Sequence, residues 1–248
     1  MGDNFCCQSV SPFPHSGYPI TFVGKIIAID GPAGAGKSTI ARRVAQRLGF
    51  TYIDTGAMYR ALGLWALRQG LNPSDAHRME QLALAADITL DSANALVFLN
   101  SDDVTEAIRT PEVSDAASRV AAIPAVRRVM VDKQREIAAS LNIVMEGRDI
   151  GTVVFPDAHV KIFLDADPSS RVGRRQAQAG HAEPEIARKI AERDRRDSTR
   201  PDSPLTQAPD AVYVNTTSLS VEEVEEAVLR LVRERISNGK DYRTLNLP

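Results

Sequence analysis

Between Gly31 and Thr39 the chain reads GPAGAGKST, and those residue types at that spacing are suited to holding a phosphate. Gly31, Pro32, Ala33, Gly34, Ala35 and Gly36, followed by Lys37 and Ser38, match the spacing of a nucleotide-binding loop. Residues without bulky side chains let successive backbone N–H groups curl around an anion, and the helix that follows points its positive dipole end at the same place. Lys37 adds a mobile point charge. Ser38 offers a hydroxyl to Mg²⁺, with Thr39 a second candidate. The expectation is a loop that binds the phosphates of a nucleoside triphosphate.

A second concentration of chemistry lies further on. Arg171, Arg174, Arg175, Arg188, Arg193, Arg195, Arg196 and Arg200 fall within thirty residues. Glu183, Glu185, Glu192, Asp194 and Asp197 are interleaved with them, so a solvated helix stitched by i to i+4 pairs is one reading. Phosphoryl transfer supplies another. Each close pair of phosphate charges costs about 4 kcal/mol at an effective dielectric near 20. Fixed guanidinium groups offset that repulsion and stabilise the transferring group, an effect worth roughly 10³ to 10⁵ in rate. Segments 171–180 and 184–200 have the form of a helical hairpin that closes over a nucleotide and excludes water. A phosphate acceptor needs only positioning, whereas a hydroxyl acceptor needs a base. Many arginines and no His–Asp pairing favour the phosphate. The alternative is a kinase of a hydroxyl-bearing small metabolite, with Asp54 or Asp149 as base.

Those groups need elements to hold them. Ile26–Ile29, Thr51–Ile53, Asn142–Met145, Val160–Leu164 and Ala211–Val214 read as short apolar strands. Helices are expected over 40–48, with Ile40, Val44 and Leu48 every fourth residue, and over 56–69. Ser74 is expected to cap the next helix. ITL and ALVFL around Asp91–Asn94 read as a hairpin, with a third piece near Val104. Thr110 with Pro111, then Pro124, start two further helices. Ser220 and Glu223 form a capping box for the last one. Strands alternating with helices predict a parallel sheet covered on both faces, with ligands beyond the carboxyl ends of the strands. Asp54, Arg148, Asp149 and Asp165 all fall at such ends.

Composition narrows the partners. In 248 residues, 30 basic side chains against 32 acidic ones leave a net charge of −2, so neither a nucleic-acid coat nor an anionic membrane is an expected partner. An Asn-Lys-x-Asp guanine-reading motif is absent from the sequence. Cys6 and Cys7 are adjacent and the four histidines lie far apart. Neither a disulfide framework nor a thiol or imidazole metal site is expected, and a reducing, cytoplasmic setting is. No apolar run reaches the ~18 residues of a membrane span. The start of the chain lacks the pattern of a signal peptide, and Cys6 stands where myristoylation after Gly2 would want Ser or Thr. Residues 1–24 read as a flexible extension, 25–235 as the folded domain and 236–248 as a tail. A monomer is expected.

Taken in order, GPAGAGKST, DTGAMYRA (Asp54–Ala61), EGRDIGTVVFPDA (Glu146–Ala158), KIFLDA (Lys161–Ala166) and ERDRRDSTR (Glu192–Arg200) resemble the bacterial-type cytidylate kinases over residues 25–235. The resemblance implies an α/β P-loop nucleoside monophosphate kinase fold, with an enlarged monophosphate-binding region at 55–127 and a lid at 171–200. It also implies transfer of the ATP γ-phosphoryl group to CMP or dCMP with Mg²⁺. By the same resemblance, Thr55, Arg60 and Arg148 would hold the acceptor phosphate, and Ser118, Arg127 and Asp149 would read the cytosine. Arg193, Asp197 and Arg200 would contact the ribose and bridging phosphates, and Arg174 would face ATP. Catalysis would fall to Lys37, Arg148, Arg193 and Arg200. Cytosine offers an amino donor beside ring acceptors, so a carboxylate with an arginine is its complement. Arg109 is a further basic candidate, or simply a surface residue.

Overall fold

Every side chain of the run IIAID, strand β1 (Ile26–Asp30), is buried, as expected of a strand covered on both faces. A computed structural model of the chain describes residues 24–179 and 185–237. Nearly all of the expected N-terminal extension, the turn of the expected helical hairpin (180–184) and most of the tail lie outside the described residues. Strand β1 is the centre of a five-stranded sheet whose pairings are all parallel. The order is β2 (Thr51–Asp54), β6 (Ile143–Glu146), β1, β7 (Val160–Asp165) and β8 (Val212–Asn215).

Alternation along the strands divides the core. Ile27, Ile29, Val144, Ile162 and Leu164 meet α1 (Lys37–Leu48) and α8 (Val221–Ser237) on one face. Ile26, Ala28, Ile143 and Met145 meet α5 (Pro124–Ala138) and the Ile150–Phe155 segment on the other. Successive side chains point to opposite faces, so one apolar run supplies both layers.

Between β2 and α5 the chain leaves the sheet. Helices α2 (Thr55–Arg68), α3 (Ala76–Ala85) and α4 (Pro111–Val120) form a second core with α5 around Met58, Leu62, Met79, Val120 and Met130. The expected hairpin is present as β3 (Ile88–Asp91) and β4 (Leu96–Leu99). Its third piece, β5 (Asp102–Asp103), comes just before Val104. The Thr110 hydroxyl accepts the Val113 N–H at 3.3 Å with Pro111 next to it, and Ser220 and Glu223 bond reciprocally at 2.8 and 3.2 Å. One cap differs from expectation. Asp75, not Ser74, starts α3 by accepting the Arg78 N–H at 3.1 Å. Asn72 closes the turn on the Ser74 N–H at 3.0 Å, which moves the helix start one residue on. The expected hairpin helices are α6 (Pro168–Ala179) and α7 (Ile186–Thr199).

A tight π-helical turn at Ile150–Val154 follows β6, and the apolar pattern gave no sign of it. Its cause is Asp30, whose buried carboxylate accepts the N–H groups of Ile150 at 2.9 Å and Gly151 at 2.8 Å. Gly63 marks the closest approach in the second core, since a Cβ there would lie 2.9 Å from the Ala117 nitrogen on α4. Gly63→Ala should therefore destabilise the chain by about 1–3 kcal/mol through forced separation of α2 and α4, despite the ~1 kcal/mol gain in helix propensity. Urea midpoints check this; an unchanged or higher midpoint would show that the helices have room to separate.

Candidate active site

The phosphate loop leaves β1 at Gly31, whose φ of +147° is one that L side chains rarely adopt. A Cβ there would also fall 1.9 Å from the Leu164 carbonyl of β7. Gly34, at φ +78°, faces the backbone of Arg171 on α6, 2.9 Å from where its Cβ would be. Helix α1 begins at Lys37, so its N-terminus points into the loop. The Lys37 ammonium is buried and donates to the Pro32 carbonyl at 2.7 Å. Burial and then the nearby Arg148 push its pKa down to about 7, against the pull of Glu146. Ser38 and Thr39 are exposed on the first turn. Ser38 lies near the buried Glu146 carboxylate, which accepts from the Tyr52 hydroxyl. Burial, and then Asp54, hold the Glu146 carboxyl above the usual range.

Around Lys37 the positive groups crowd. Arg148, just past β6, donates to Asp197 of α7 at 2.9 Å and to the Gly147 carbonyl at 3.1 Å. Arg193 and Arg200 approach the same Asp197 at 3.9 Å each. Burial alone would raise the Asp197 carboxyl, but Arg148, Arg193 and Arg200 outweigh it and hold the group ionised. Arg193 is itself pushed down to about 10, by burial and then by Arg148, with Arg60 and Arg175 adding to the repulsion. Arg60, on α2, pairs with Asp54 at 2.9 Å. Thr55, one residue past Asp54, gives its hydroxyl proton to the Glu146 carbonyl at 2.7 Å. Five cations set around one region, with fewer acids among them, make a site for an anion.

Beside that region is a cluster of buried polar side chains. Asp149 pairs through one oxygen with Arg127 and faces Arg200 at 3.6 Å through the other. Arg127 also donates to the Ala121 carbonyl at 3.2 Å and lies over the Tyr59 ring, 5.6 Å from its centroid. Ser118 Oγ, Tyr59 OH, Arg127 Nε, Arg193 Nε and Arg200 Nη2 are all buried with no hydrogen-bond partner among the described residues. Buried polar groups without partners cost roughly 1–3 kcal/mol each. The polar atoms of a bound ligand would satisfy such groups.

The structure thus brings together Gly31–Thr39, Thr55, Arg60, Arg127, Arg148, Asp149, Arg193, Asp197 and Arg200, while Ser118 is buried on α4, three residues before the Ala121 carbonyl that Arg127 meets. Arg174 sits over the end of the phosphate loop, with Nη1 3.8 Å from where a Gly36 Cβ would lie, and donates to the Thr216 hydroxyl at 2.9 Å. Two candidates stand apart. Arg109 is a surface residue bonded to the Thr105 carbonyl, just before its own short helical turn, at 3.2 Å. Asp165 turns to the Ala166 N–H at 2.8 Å and toward Tyr213. Asp30, Tyr59, Arg175 and Thr216 were not foreseen, although an acid ending an apolar run just before the glycine loop was a visible signal for Asp30. Among the described residues no three His, Cys, Asp or Glu side chains gather as a metal site, and no helix is long and apolar enough to cross a membrane.

A parallel sheet with a glycine loop off its central strand, Lys37 within that loop and guanidinium groups opposite it define a P-loop kinase. The profile of the cytidylate kinase family matches residues 27–234. A cytidylate kinase of Solibacter usitatus is 61% identical over 224 residues, covering 88% of this chain and 96% of that protein. One from Pelotomaculum thermopropionicum is 48% identical over 222 residues, covering 86% and 96%. A solved shikimate kinase from Acinetobacter baumannii, in complex with shikimate, aligns over 88% of this chain and 97% of that one at 13% identity and a TM-score of 0.44. The chain belongs to the cytidylate kinase family.

Lys37 yields a prediction about protons. With its pKa near 7 in the free protein, it is largely neutral at pH 8, and an arriving triphosphate favours the charged form. ATP binding at pH 8 should take up close to one proton, and apparent affinity should fall as pH rises above about 7, by up to tenfold per unit. Calorimetry in two buffers of different ionisation enthalpy measures the uptake. Lys37→Arg, charged throughout, should abolish it; uptake that persists in the variant would assign the proton elsewhere.

Proposed function

We propose that the chain transfers the γ-phosphoryl group of ATP to CMP or dCMP, giving ADP and CDP or dCDP. The observation that carries the choice of base is the buried Arg127–Asp149 pair, with Arg127 Nε unpartnered and Ser118 Oγ likewise buried without a partner on α4. A carboxylate accepts from the cytosine amino group while arginine and hydroxyl donors meet the ring acceptors. Both Asp149 oxygens face guanidinium groups, which suits an acceptor of amino protons better than a base for a hydroxyl.

In this reading the acceptor phosphate lies among Thr55, Arg60 and Arg148, and Asp197 and Arg200 take the ribose. Arg193 and Arg148 stand between acceptor and donor, where charge spreads during transfer. An anionic phosphate oxygen is already a nucleophile, so the residues hold it in line and offset repulsion; no base is needed. Lys37 and the loop N–H groups hold the donor phosphates, with Arg174 over them. Ser38 and the nearby Glu146 offer the hard oxygen donors that Mg²⁺ prefers. When bound there, Mg²⁺ would neutralise charge on the β- and γ-phosphates. One chain supplies every one of these residues, which supports action as a monomer.

ADP release from ATP and Mg²⁺, measured against CMP, dCMP, UMP, AMP, GMP and shikimate with a no-acceptor control, tests the reading. Strong preference for CMP and dCMP is expected; activity only with a hydroxyl compound would overturn it. Arg148→Ala should lower kcat by about 10³-fold while ATP affinity changes by less than about threefold, a difference of under ~0.7 kcal/mol. Equal losses in both would remove Arg148 from the acceptor side.

A further inference from the structure

The two halves of the site meet at a joint that none of the roles above uses. Ala33, at the apex of the phosphate loop, donates its N–H to Asp194 Oδ1 at 3.1 Å, and its carbonyl accepts from Arg171 Nη1 at 3.1 Å. Arg171 and Asp194 also pair directly with each other. Arg171 is fixed from behind by a bond from its Nε to the Ala166 carbonyl at 3.0 Å, and its backbone lies against Gly34. Both side chains of the pair are largely buried, at 11% and 19% exposure.

One loop residue is therefore held at both polar groups by two different helices, Arg171 from α6 and Asp194 from α7. Helix α7 is also the element that carries Arg193, Asp197 and Arg200 to the acceptor side. Asp194 lies next to Arg193 and one helical turn before Asp197. At 1.5 Å of rise per residue, a helix fixed at Asp194 has its acceptor groups fixed within one to two turns. The paired charges cancel, so the joint does not place a bare carboxylate against the donor phosphates.

We propose that Arg171 and Asp194 are positioning residues that tie the donor loop to the acceptor helix, so that filling one nucleotide site tightens the other. The loop cannot settle on a triphosphate without setting Ala33, and Ala33 sets α7. This rests on the assignment of donor and acceptor to the two sides of the joint, not on which base the acceptor carries.

The test is the dissociation constant of CMP with and without a saturating, non-transferable ATP analogue, for the wild type, Asp194→Ala, Arg171→Ala and Asp194→Asn. In the wild type the analogue should tighten CMP by about tenfold, within the usual range of coupling between sites. Asp194→Ala and Arg171→Ala should hold CMP alone within about twofold of wild type and lose the tightening, since the acceptor contacts are intact and only their link is cut. Asp194→Asn keeps an oxygen for the Ala33 N–H but not the ion pair, so its tightening should be intermediate. Full coupling in both alanine variants, or none in the wild type, overturns the proposal. So does a loss of CMP binding without analogue that tracks a fall in Tm, which would make the joint merely structural. A chain that prefers another monophosphate is measured with that one. The choice of acceptor then judges the substrate reading, and the coupling judges the joint.

Discussion

Positive charge packed against positive charge is the constraint around which this structure is arranged. Burial, and then repulsion from Arg148 and the other cations beside them, drives Lys37 down to about 7 and Arg193 to about 10. Asp197, Asp54 and Glu146 offset part of that repulsion. The remainder is what an incoming phosphate relieves. Such a cluster cannot sit on mobile loops, because the groups would move apart. Here β1 and β6, paired in register through Ile29 and Glu146, fix Lys37 and Arg148 from the middle of the sheet.

The acids have distinct tasks set by their surroundings. Asp54 caps α2 through the Ala57 N–H at 2.9 Å and holds Arg60. Burial pulls its carboxyl upward, but Arg60, that N–H and Arg42 prevail and keep it ionised. Asp30 has two N–H donors and no cation bound to it, and burial raises it to about 6. Its work is done by shaping the Ile150–Val154 turn, which aims Asp149 at Arg127. Burying the Arg127–Asp149 pair gains little net stability, whereas removing one partner leaves a buried charge and costs roughly 3–5 kcal/mol. A pair of that kind suits selection of a base better than support of a fold.

The second core shows the same division between apolar packing and polar side chains. Met58, Leu62 and Met130 fill the second core, while Tyr59 and Arg127 leave the same helices in the direction of Asp149. Helices α2 and α5 therefore each present one apolar face and one polar face, and the packing of the first aims the second.

What the sequence determined by itself is what depends on neighbours along the chain. The glycine loop, the strand before it, the Thr110 and Ser220 caps, the β3–β4 hairpin and the arginine-bearing helices are governed by local φ/ψ freedom, capping bonds and apolar period. Motif order then made the family recognisable. What the tertiary structure decided depends on contacts between distant segments. Asp30 meets Ile150 and Gly151 across 120 and 121 residues, Ala33 meets Asp194 across 161, and Arg127 of α5 joins Asp149 past β6 to the Ala121 carbonyl past α4. The reason is physical: spacing along one element fixes a side chain's direction to within a face, but a hydrogen bond needs position to a few tenths of an ångström. Only the packing of sheet, second core and helical hairpin supplies that.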